Sequence, residues 1–365
     1  PLKLTIDLSI QAAVEHVLEG GMRLLNAKGA AAILMEVDTG RVISLASLPD
    51  FDPNHRPGLP VRGSADDSPI FNKAIQGVYE LGSTFKIFTV AQALELELVD
   101  PKTKINTKGP IRMGGHKIND YRNNGPELPV WQVITESSNL GTARIAKMIG
   151  PEKQREFLSS LGFTKPTSIE MIEASGGKPL LPKRWNELET MTISYGHGLS
   201  ATPLHLATGY ATLANGGRLV KPTLLEEEKL GLGQQIISQE VAKNSLAMLR
   251  GVVTEGTASL ADVNGYFVAG KTGTADKPSA QGGYDKEKNI TSFASIFPIH
   301  EPKYVLVVTL DEAQDTSGPE PKRTAGWTAV PVSAEIIARV APLLGLRPKF
   351  DNKSSVGVTL SNWQE

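Results

Sequence analysis

The sequence predicts an α/β fold of the α+β kind, in which one antiparallel sheet of about five strands is flanked by helices and interrupted by a mainly helical subdomain. Short apolar runs bounded by turn residues occur near both ends of the chain, whereas helical periodicity dominates the middle. We therefore expect one domain over residues 1–365, with an α/β part at about 1–48 and 250–346 and a mainly helical part at about 70–249.

The strands are predicted from short apolar runs between turn residues. These runs are residues 31–38, 41–48, 266–274, 291–299 and 304–311. The first two flank a Thr39-Gly40 turn and should form a β-hairpin. The last two are separated by four residues and should form another hairpin. Two polar segments that contain Gly, 49–69 and 276–289, are predicted to be loops.

The helices are predicted from a 3.6-residue apolar period. They are residues 9–27, 83–98, 130–134, 140–149, 203–214, 239–253 and 331–344. The helix at 83–98 is apolar almost all round, which is typical of a helix buried in a core.

Composition excludes several classes of protein. The chain has 40% hydrophobic and 21% charged residues and a net charge of -1, so no basic excess indicates a nucleic-acid partner. It has no cysteine, which excludes disulfides, thiolate metal sites and a cysteine nucleophile. Its six histidines are dispersed without metal-ligand spacing, and we expect no cofactor. No apolar run approaches the roughly 20 residues of a membrane span.

The first candidate catalytic motif is Ser83-Thr-Phe-Lys86, at the start of the buried helix. Positions i and i+3 share one helix face, so Ser83 Oγ and Lys86 Nζ can meet. A buried lysine has a lowered pKa and can act as a base toward the serine. By spacing alone, a serine cap followed by a surface lysine is the simpler interpretation. Ser175-Gly-Gly-Lys178 has the same spacing, but its glycines argue against a helix.

The second motif is Ser137-Ser138-Asn139, in the polar break between two predicted helices. Ser137 can relay a proton to a leaving amine, and Asn139 can hydrogen-bond a substrate amide and Lys86. Serine and asparagine are also common helix caps, and the motif alone favours a cap.

The third motif lies at the end of the predicted strand 266–274 and consists of Lys271, Thr272, Gly273 and Thr274. Gly273 would let a ligand backbone approach closely, and an edge strand can accept an extended peptide. Lys271 offers positive charge near Ser137 and to a substrate carboxylate. The N–H groups of Ser83 and Thr274 can form an oxyanion hole. An ordinary strand end explains the motif equally well when it is taken alone.

The three motifs occur in the order Ser-x-x-Lys, Ser-x-Asn, Lys-Thr-Gly, which is typical of penicillin-binding proteins and serine β-lactamases. Together with the Tyr195-Gly-His-Gly segment, Asn215-Gly-Gly and Ala325-Gly-Trp, they make the sequence resemble penicillin-binding transpeptidases. The resemblance is strongest to class B enzymes of the cell-division, septal type and runs from about residue 4 to 344. It implies a serine β-lactamase/transpeptidase-like fold.

The resemblance implies a peptidoglycan D,D-transpeptidase that works through a serine acyl-enzyme. Ser83 would be acylated by the penultimate D-Ala of a donor stem peptide with release of D-Ala, and an acceptor amine would then take the acyl group. Catalytic roles are implied for Ser83, Lys86, Ser137, Asn139 and Lys271, and substrate binding for Thr272, Gly273 and Thr274. β-Lactams would bind as mimics of D-Ala-D-Ala.

The resemblance also implies a cellular setting. The chain begins at Pro1, with no initiator Met and no signal peptide, so we interpret it as a fragment. An anchor in the bacterial inner membrane and a pedestal domain would lie outside it, with the catalytic domain in the periplasm. A membrane glycosyltransferase and other division proteins would be partners.

Three alternatives remain open from the sequence: an elongation-type transpeptidase, a serine β-lactamase and a non-catalytic β-lactam sensor. The Tyr195-Gly-His-Gly segment favours division over elongation. A β-lactamase needs a base for deacylation, and no Glu followed by Leu-Asn lies between the second and third motifs. His197 is more simply a loop histidine than a catalytic one, and Tyr284 fits a plain loop tyrosine as well as an acceptor-side residue.

Overall fold

The computed structural model describes residues 1–58, 65–226, 233–279 and 281–350, together with Leu360 and Trp363. The strands are β1 (Gly29–Glu36), β2 (Val42–Leu48), β3 (Lys104–Asn106), β4 (Ile111–Met113), β5 (His116–Ile118), β6 (Glu127–Pro129), β7 (Ala269–Pro278), β8 (Tyr284–Phe297) and β9 (Tyr304–Asp311). The helices are α1 (Leu8–Leu24), α2 (Lys86–Glu95), α3 (Val130–Thr135), α4 (Asn139–Ile149), α5 (Pro151–Ser160), α6 (Glu187–Ile193), α7 (Pro203–Ala214), α8 (Gln239–Thr254) and α9 (Ala329–Leu343).

The main sheet has five antiparallel strands in the order β2-β1-β9-β8-β7. This confirms the predicted fold class. β1 is buried along nearly its whole length, as its apolar sequence GAAAILME requires for a strand covered on both faces. Burial in β2 alternates residue by residue, as in a strand with one face toward the core. α1 and α9 pack together against the sheet, and α7 packs against β1, β8 and β9. Because β7 is the last strand in this order, it lies at an edge of the main sheet.

The helical part differs in detail from the sequence prediction. Two small two-stranded sheets, β3 with β6 and β4 with β5, lie within it, and α5 and α6 were not predicted. The strands of the two small sheets are only three residues long, which is too short for a recognisable alternation of apolar and polar residues.

The segment 276–289 was predicted to be a loop, and that prediction is wrong. β7 continues to Pro278 and β8 begins at Tyr284, so most of the segment is a hairpin with a register shift between Asp276 and Lys277. Residue 280 lies outside the described residues. The polar sequence indicated a loop because this part of the hairpin extends beyond the core. Its side chains are polar, but its backbone hydrogen bonds continue the pairing of β7 with β8. The predicted loop 49–69 contains two short 3₁₀ turns, and its residues 59–64 lie outside the described part.

Aromatic side chains pack around α2 and the turn that precedes it. Phe88 on α2 packs edge-on against Phe85 at 5.7 Å and Tyr210 at 5.6 Å between ring centroids. Phe163 completes the aromatic group. The hydroxyl of Tyr210 donates a hydrogen bond to the carbonyl of Thr84 at 2.9 Å, directly beside Ser83. The aromatic packing thus fixes the start of α2 relative to α7.

None of the helices in the described residues is both long and apolar enough to cross a membrane.

Candidate active site

Ser83 lies in a 3₁₀ turn, Gly82–Phe85, that leads directly into α2 at Lys86. The α-helix therefore starts three residues later than predicted, while Ser83 keeps its place at the helix entrance. Gly82 has φ +56°, and a Cβ there would lie 2.7 Å from the carbonyl oxygen of Thr274. On another side, the N–H of Gly82 donates to the carbonyl of Gly196 at 3.2 Å. Only glycine fits this approach of three backbone segments.

Lys86 connects the first and second motifs. Its side chain is fully buried, and Nζ lies 2.9 Å from Ser83 Oγ and 3.0 Å from Ser137 Oγ, and 2.5 Å from the Ser137 carbonyl oxygen. Burial lowers the pKa of Lys86 well below its usual value, and the positive charge of Lys271 adds to the effect, while Asp120 opposes it. A buried amine whose charged form is disfavoured can exchange a proton with Ser83 at this distance.

Ser137 occupies a strained backbone position between α3 and α4. Its φ is +58°, its N–H donates to the carbonyl of Ile134 at 3.2 Å, and the next N–H, of Ser138, donates to Val133 at 3.0 Å. This pair of bonds is a Schellman motif, whose left-handed position normally carries glycine. A side chain there costs about 1–2 kcal/mol. In this conformation the Ser137 hydroxyl lies between Lys86 and Lys271. Backbone strain of this kind is typical of functional sites.

Ser138 and Asn139 serve the structure of the same loop. Ser138 caps α4 by accepting from the N–H of Gly141 at 2.9 Å, and its hydroxyl donates to Asp120 at 2.8 Å. The amide nitrogen of Asn139 donates to the carbonyl of Asn119 at 3.0 Å. The expected bond between Asn139 and Lys86 is not among the hydrogen bonds of the described residues.

Lys271 on β7 contacts the same hydroxyl. It is fully buried, and its Nζ lies 3.0 Å from Ser137 Oγ. Burial lowers the pKa of Lys271 to about 7. Ser137 is therefore shared by two lysine amines, and a proton can pass along the chain from Ser83 through Lys86 to Ser137.

The other residues of the third motif lie within β7 rather than at its end, because the strand runs on to Pro278. A Cβ on Gly273 would lie 2.2 Å from the carbonyl oxygen of Leu81, so β7 passes directly against the turn that carries Ser83. The hydroxyl of Thr272 lies 2.7 Å from that of Thr257, and the hydroxyl of Thr274 accepts from the N–H of Ala325 at 3.0 Å. These side-chain contacts fix the edge strand beside Ser83.

The structure separates the two Ser-x-x-Lys matches. Ser175 lies in a 3₁₀ turn, Ile172–Gly176, where its exposed hydroxyl donates to the carbonyl of Ile172 at 3.0 Å. It is not joined to a buried lysine. Within the described residues, no group of acidic and histidine side chains is arranged to hold a metal ion.

Sequence reasoning missed Asp120 and Glu80. Asp120 accepts from Ser138 Oγ and from the N–H of Leu140 at 2.9 Å, so it caps α4 from 18 residues earlier in the chain. Glu80 accepts from the N–H of Gly198 at 2.7 Å and from the hydroxyl of Tyr284 at 3.0 Å. No local pattern marks either residue, since both act through contacts distant in sequence.

Comparison with known proteins identifies the family to which this fold and this group of serine and lysine side chains belong. The family model described as "Penicillin binding protein transpeptidase domain" matches residues 30–337. The chain belongs to this family.

Similar proteins support a finer placement. A "Probable peptidoglycan D,D-transpeptidase FtsI" of Caulobacter vibrioides is 33% identical over 362 residues, which cover 96% of this chain and 60% of the relative. The FtsI transpeptidase of Escherichia coli K12 is 30% identical over 95% of this chain and 57% of its own length. The chain thus spans about three fifths of the length of these curated relatives.

Solved structures agree with the fold. The transpeptidase domain of penicillin-binding protein 3 from Burkholderia pseudomallei superposes with a TM-score of 0.83 at 31% identity, covering 96% of this chain and 98% of the other. Penicillin-binding protein 3 from the tuberculosis mycobacterium, solved with aztreonam, gives a TM-score of 0.84 at 27% identity, covering 95% and 80% of the two chains.

Proposed function

We propose that this chain is the catalytic domain of a septal peptidoglycan D,D-transpeptidase that forms an acyl-enzyme on Ser83. The observation that carries the proposal is the continuous contact among Ser83, Lys86, Ser137 and Lys271, each step being 3.0 Å or shorter. Two buried lysines flank one strained serine there, an arrangement that costs stability and that proton transfer would explain.

The first half-reaction begins with Lys86. Its neutral amine takes the proton of Ser83, and Oγ attacks the carbonyl carbon of the penultimate D-Ala. Ser137, within 3.0 Å of Lys86, returns a proton to the nitrogen of the departing D-Ala. The C–N bond breaks and an ester on Ser83 remains.

The substrate peptide would pair with the edge of β7 that no other strand of the main sheet occupies. The N–H groups of Ser83 and Thr274 would receive the oxyanion, and the contact of Thr274 with Gly82 supports their closeness. Lys271 and Thr272 would hold the terminal carboxylate, while Gly273 leaves the strand free of a side chain at the nucleophile turn. Asn139 would bind a substrate amide from the loop after α3.

The relatives support a proposal for the cellular setting. Their printed names include FtsI transpeptidases and "Stage V sporulation protein D" of Bacillus subtilis, which is 30% identical over 95% of this chain. We infer a role in septal wall synthesis on the periplasmic side of the inner membrane, with division proteins and a membrane glycosyltransferase as partners. A solved relative carries aztreonam, which supports β-lactams as ligands of this site.

A donor thioester that mimics D-Ala-D-Ala tests the proposal. The protein should release the thiol and, with D-alanine added as an amine, yield the new amide as well as the hydrolysis product. An amide product that vanishes in Ser83→Ala supports the transpeptidase. Labelling by penicillin without any thioester turnover would instead identify a sensor.

A further inference from the structure

The segment around His197 is tied to the nucleophile turn on both sides. The carbonyl of Gly196 accepts from the N–H of Gly82, and the N–H of Gly198 donates to the carboxylate of Glu80. His197 is thereby held next to the turn that carries Ser83. The acyl-transfer steps described above make no use of it.

The ring of His197 has an unpaired polar atom. It packs near Tyr195, at 5.2 Å between ring centroids, and edge-on to Tyr284, at 5.9 Å. Nδ1 is buried and makes no hydrogen bond of good geometry within the described residues, although a backbone hydrogen bond with Tyr195 contributes to the pKa of the ring, and the side chain as a whole stays partly exposed. A buried polar atom without a partner is uncommon and costly, so a partner supplied by a ligand or by a shift of the ring would explain it.

Glu80 supplies a negative charge at the same place. Its two carboxylate oxygens accept from the Gly198 N–H and the Tyr284 hydroxyl, which are neutral donors. No ion pair joins Glu80 to a cation in the described part of the chain. A carboxylate offers about four lone pairs, so it can accept one more donor. An uncompensated carboxylate beside a nucleophile fits a small cation such as a primary ammonium.

We propose that Glu80 and His197 form the subsite for the acceptor amine, in which Glu80 binds the ammonium and His197 takes one of its protons. This rests on the proposed transpeptidase function, in which an ammonium must become a free amine before it attacks the ester on Ser83. Tyr284 is a positioning residue that holds the Glu80 carboxylate.

The proton balance of the step is complete. The acceptor ammonium gives one proton to the imidazole of His197, and the neutral amine then attacks the ester carbonyl carbon. A C–N bond forms, the bond from carbon to Ser83 Oγ breaks, and the second proton passes to Oγ through Lys86. The imidazolium releases its proton to solvent.

The electrostatic surroundings keep His197 in the form that can accept a proton. Burial lowers its pKa, and Lys86 acts in the same direction, whereas the charges of Glu80 and Asp276 and the backbone of Tyr195 raise it. The net shift is downward, so the ring is neutral at pH 7. Tyr195 and Tyr284, the aromatic neighbours, carry no charge at this pH, since burial raises the pKa of both.

Two amines test the subsite. D-alanine carries an ammonium at pH 7, whereas methoxyamine is uncharged and needs neither binding by Glu80 nor deprotonation. With the thioester donor, His197→Gln should lower maximal transfer to D-alanine by about 10²-fold, the usual scale for a general base. Glu80→Gln should raise the D-alanine concentration needed for half-maximal transfer by about tenfold or more, as for a lost charged hydrogen bond. The exposed residues His16 and Glu156, each changed to Gln, are the matched controls.

The pattern of losses decides the outcome. The proposal expects losses confined to the charged amine, so that the ratio of methoxyamine to D-alanine transfer rises in both variants. Equal losses for the two amines would show a merely structural role, and equal transfer to D-alanine in wild type and His197→Gln would also overturn the proposal. A wild-type protein that transfers to neither amine would contradict the transpeptidase function itself.

Discussion

The fold makes the charged form of Lys86 costly, as its proposed role as a base requires. The Lys86 side chain is buried at the first residue of α2. A second buried lysine, Lys271, contacts the same Ser137 hydroxyl. Two ammonium groups this close cannot both keep their protons easily, and burial already disfavours each charge. At the residue scale, the site is a pair of coupled amines arranged around one hydroxyl.

Replacing Lys86 by arginine tests this account of the base. Arginine keeps the positive charge but does not deprotonate, so acylation by a β-lactam should slow by about 10²-fold or more. The measurement is the rate at which the covalent mass appears. Lys147→Arg, an exposed lysine on α4, is the matched control. A Lys86→Arg protein acylated at the wild-type rate would remove this lysine from the role.

The pH dependence of acylation should have two limbs. Lys86 must be neutral, and its pKa is lowered, so the rate should fall as pH drops through that folded-state pKa. Lys271 must be charged to hold the ligand carboxylate, and its pKa is about 7, so the rate should also fall as pH rises through about 7. Acylation measured from about pH 5 to pH 9 with a carboxylate-bearing β-lactam checks both signs. A flat profile would contradict them.

At the scale of elements, the site is assembled from three pieces of backbone that meet at a single point. The turn before α2, the strand β7 and the segment after α6 touch at Gly82, Gly273 and Gly196, where a Cβ would lie within 2.7 Å of another backbone oxygen. The glycines let these three segments approach closely, which would place the proposed oxyanion donors beside Ser83.

Gly273→Ala should therefore separate β7 from the nucleophile turn. The added Cβ would meet the Leu81 carbonyl, which is backbone and cannot rotate away. We expect a loss of about 1–3 kcal/mol in unfolding free energy, as for other overpacked sites, and slower acylation. Gly318→Ala, where a Cβ meets nothing within 4 Å, is the control and should change neither. Denaturant unfolding gives the first quantity, and normal stability with normal acylation in Gly273→Ala would refute this view of β7.

Local patterns predicted those elements that the core requires. The strands β1 and β9 and the buried helix α2 have apolar runs that only a covered position explains, and they were predicted within a few residues. The hairpin beyond Lys277 was missed because its side chains are polar and its strands are held together by backbone hydrogen bonds, which leave no apolar pattern in the sequence. The Asp120 cap was missed because it joins residues far apart in the chain, and no local period records such a contact.

At the scale of the whole molecule, motif order carries more information than any one motif. Ser175 and Lys178 show that the first spacing occurs by chance elsewhere in the chain. What distinguishes Ser83 is the fold, which brings the loop after α3 and the edge strand of the main sheet to the same turn. That assembly requires strands from both ends of the chain to pair in one sheet. The apolar runs in the sequence predicted this pairing only in outline.

The same assembly bears on how long an acyl-enzyme lasts. Asp120 caps α4, and Glu80, which accepts from Gly198 and Tyr284, is proposed to bind the acceptor ammonium rather than to activate water. Without a carboxylate free to activate water, hydrolysis of the penicilloyl ester should be slower by about 10²- to 10⁴-fold than with a general base. A mass-spectrometric time course after removal of free drug should show label for many minutes to hours. Return to the unlabelled mass within seconds would indicate a β-lactamase.

The central claim is that Ser83 forms the covalent bond, and intact-mass measurement after incubation with penicillin tests it most directly. The account predicts one added penicilloyl group per chain, located by peptide mapping to the segment that contains Ser83, and no added mass in Ser83→Ala. A Ser83→Ala protein that still gains the label, or a label located at Ser175, would contradict it.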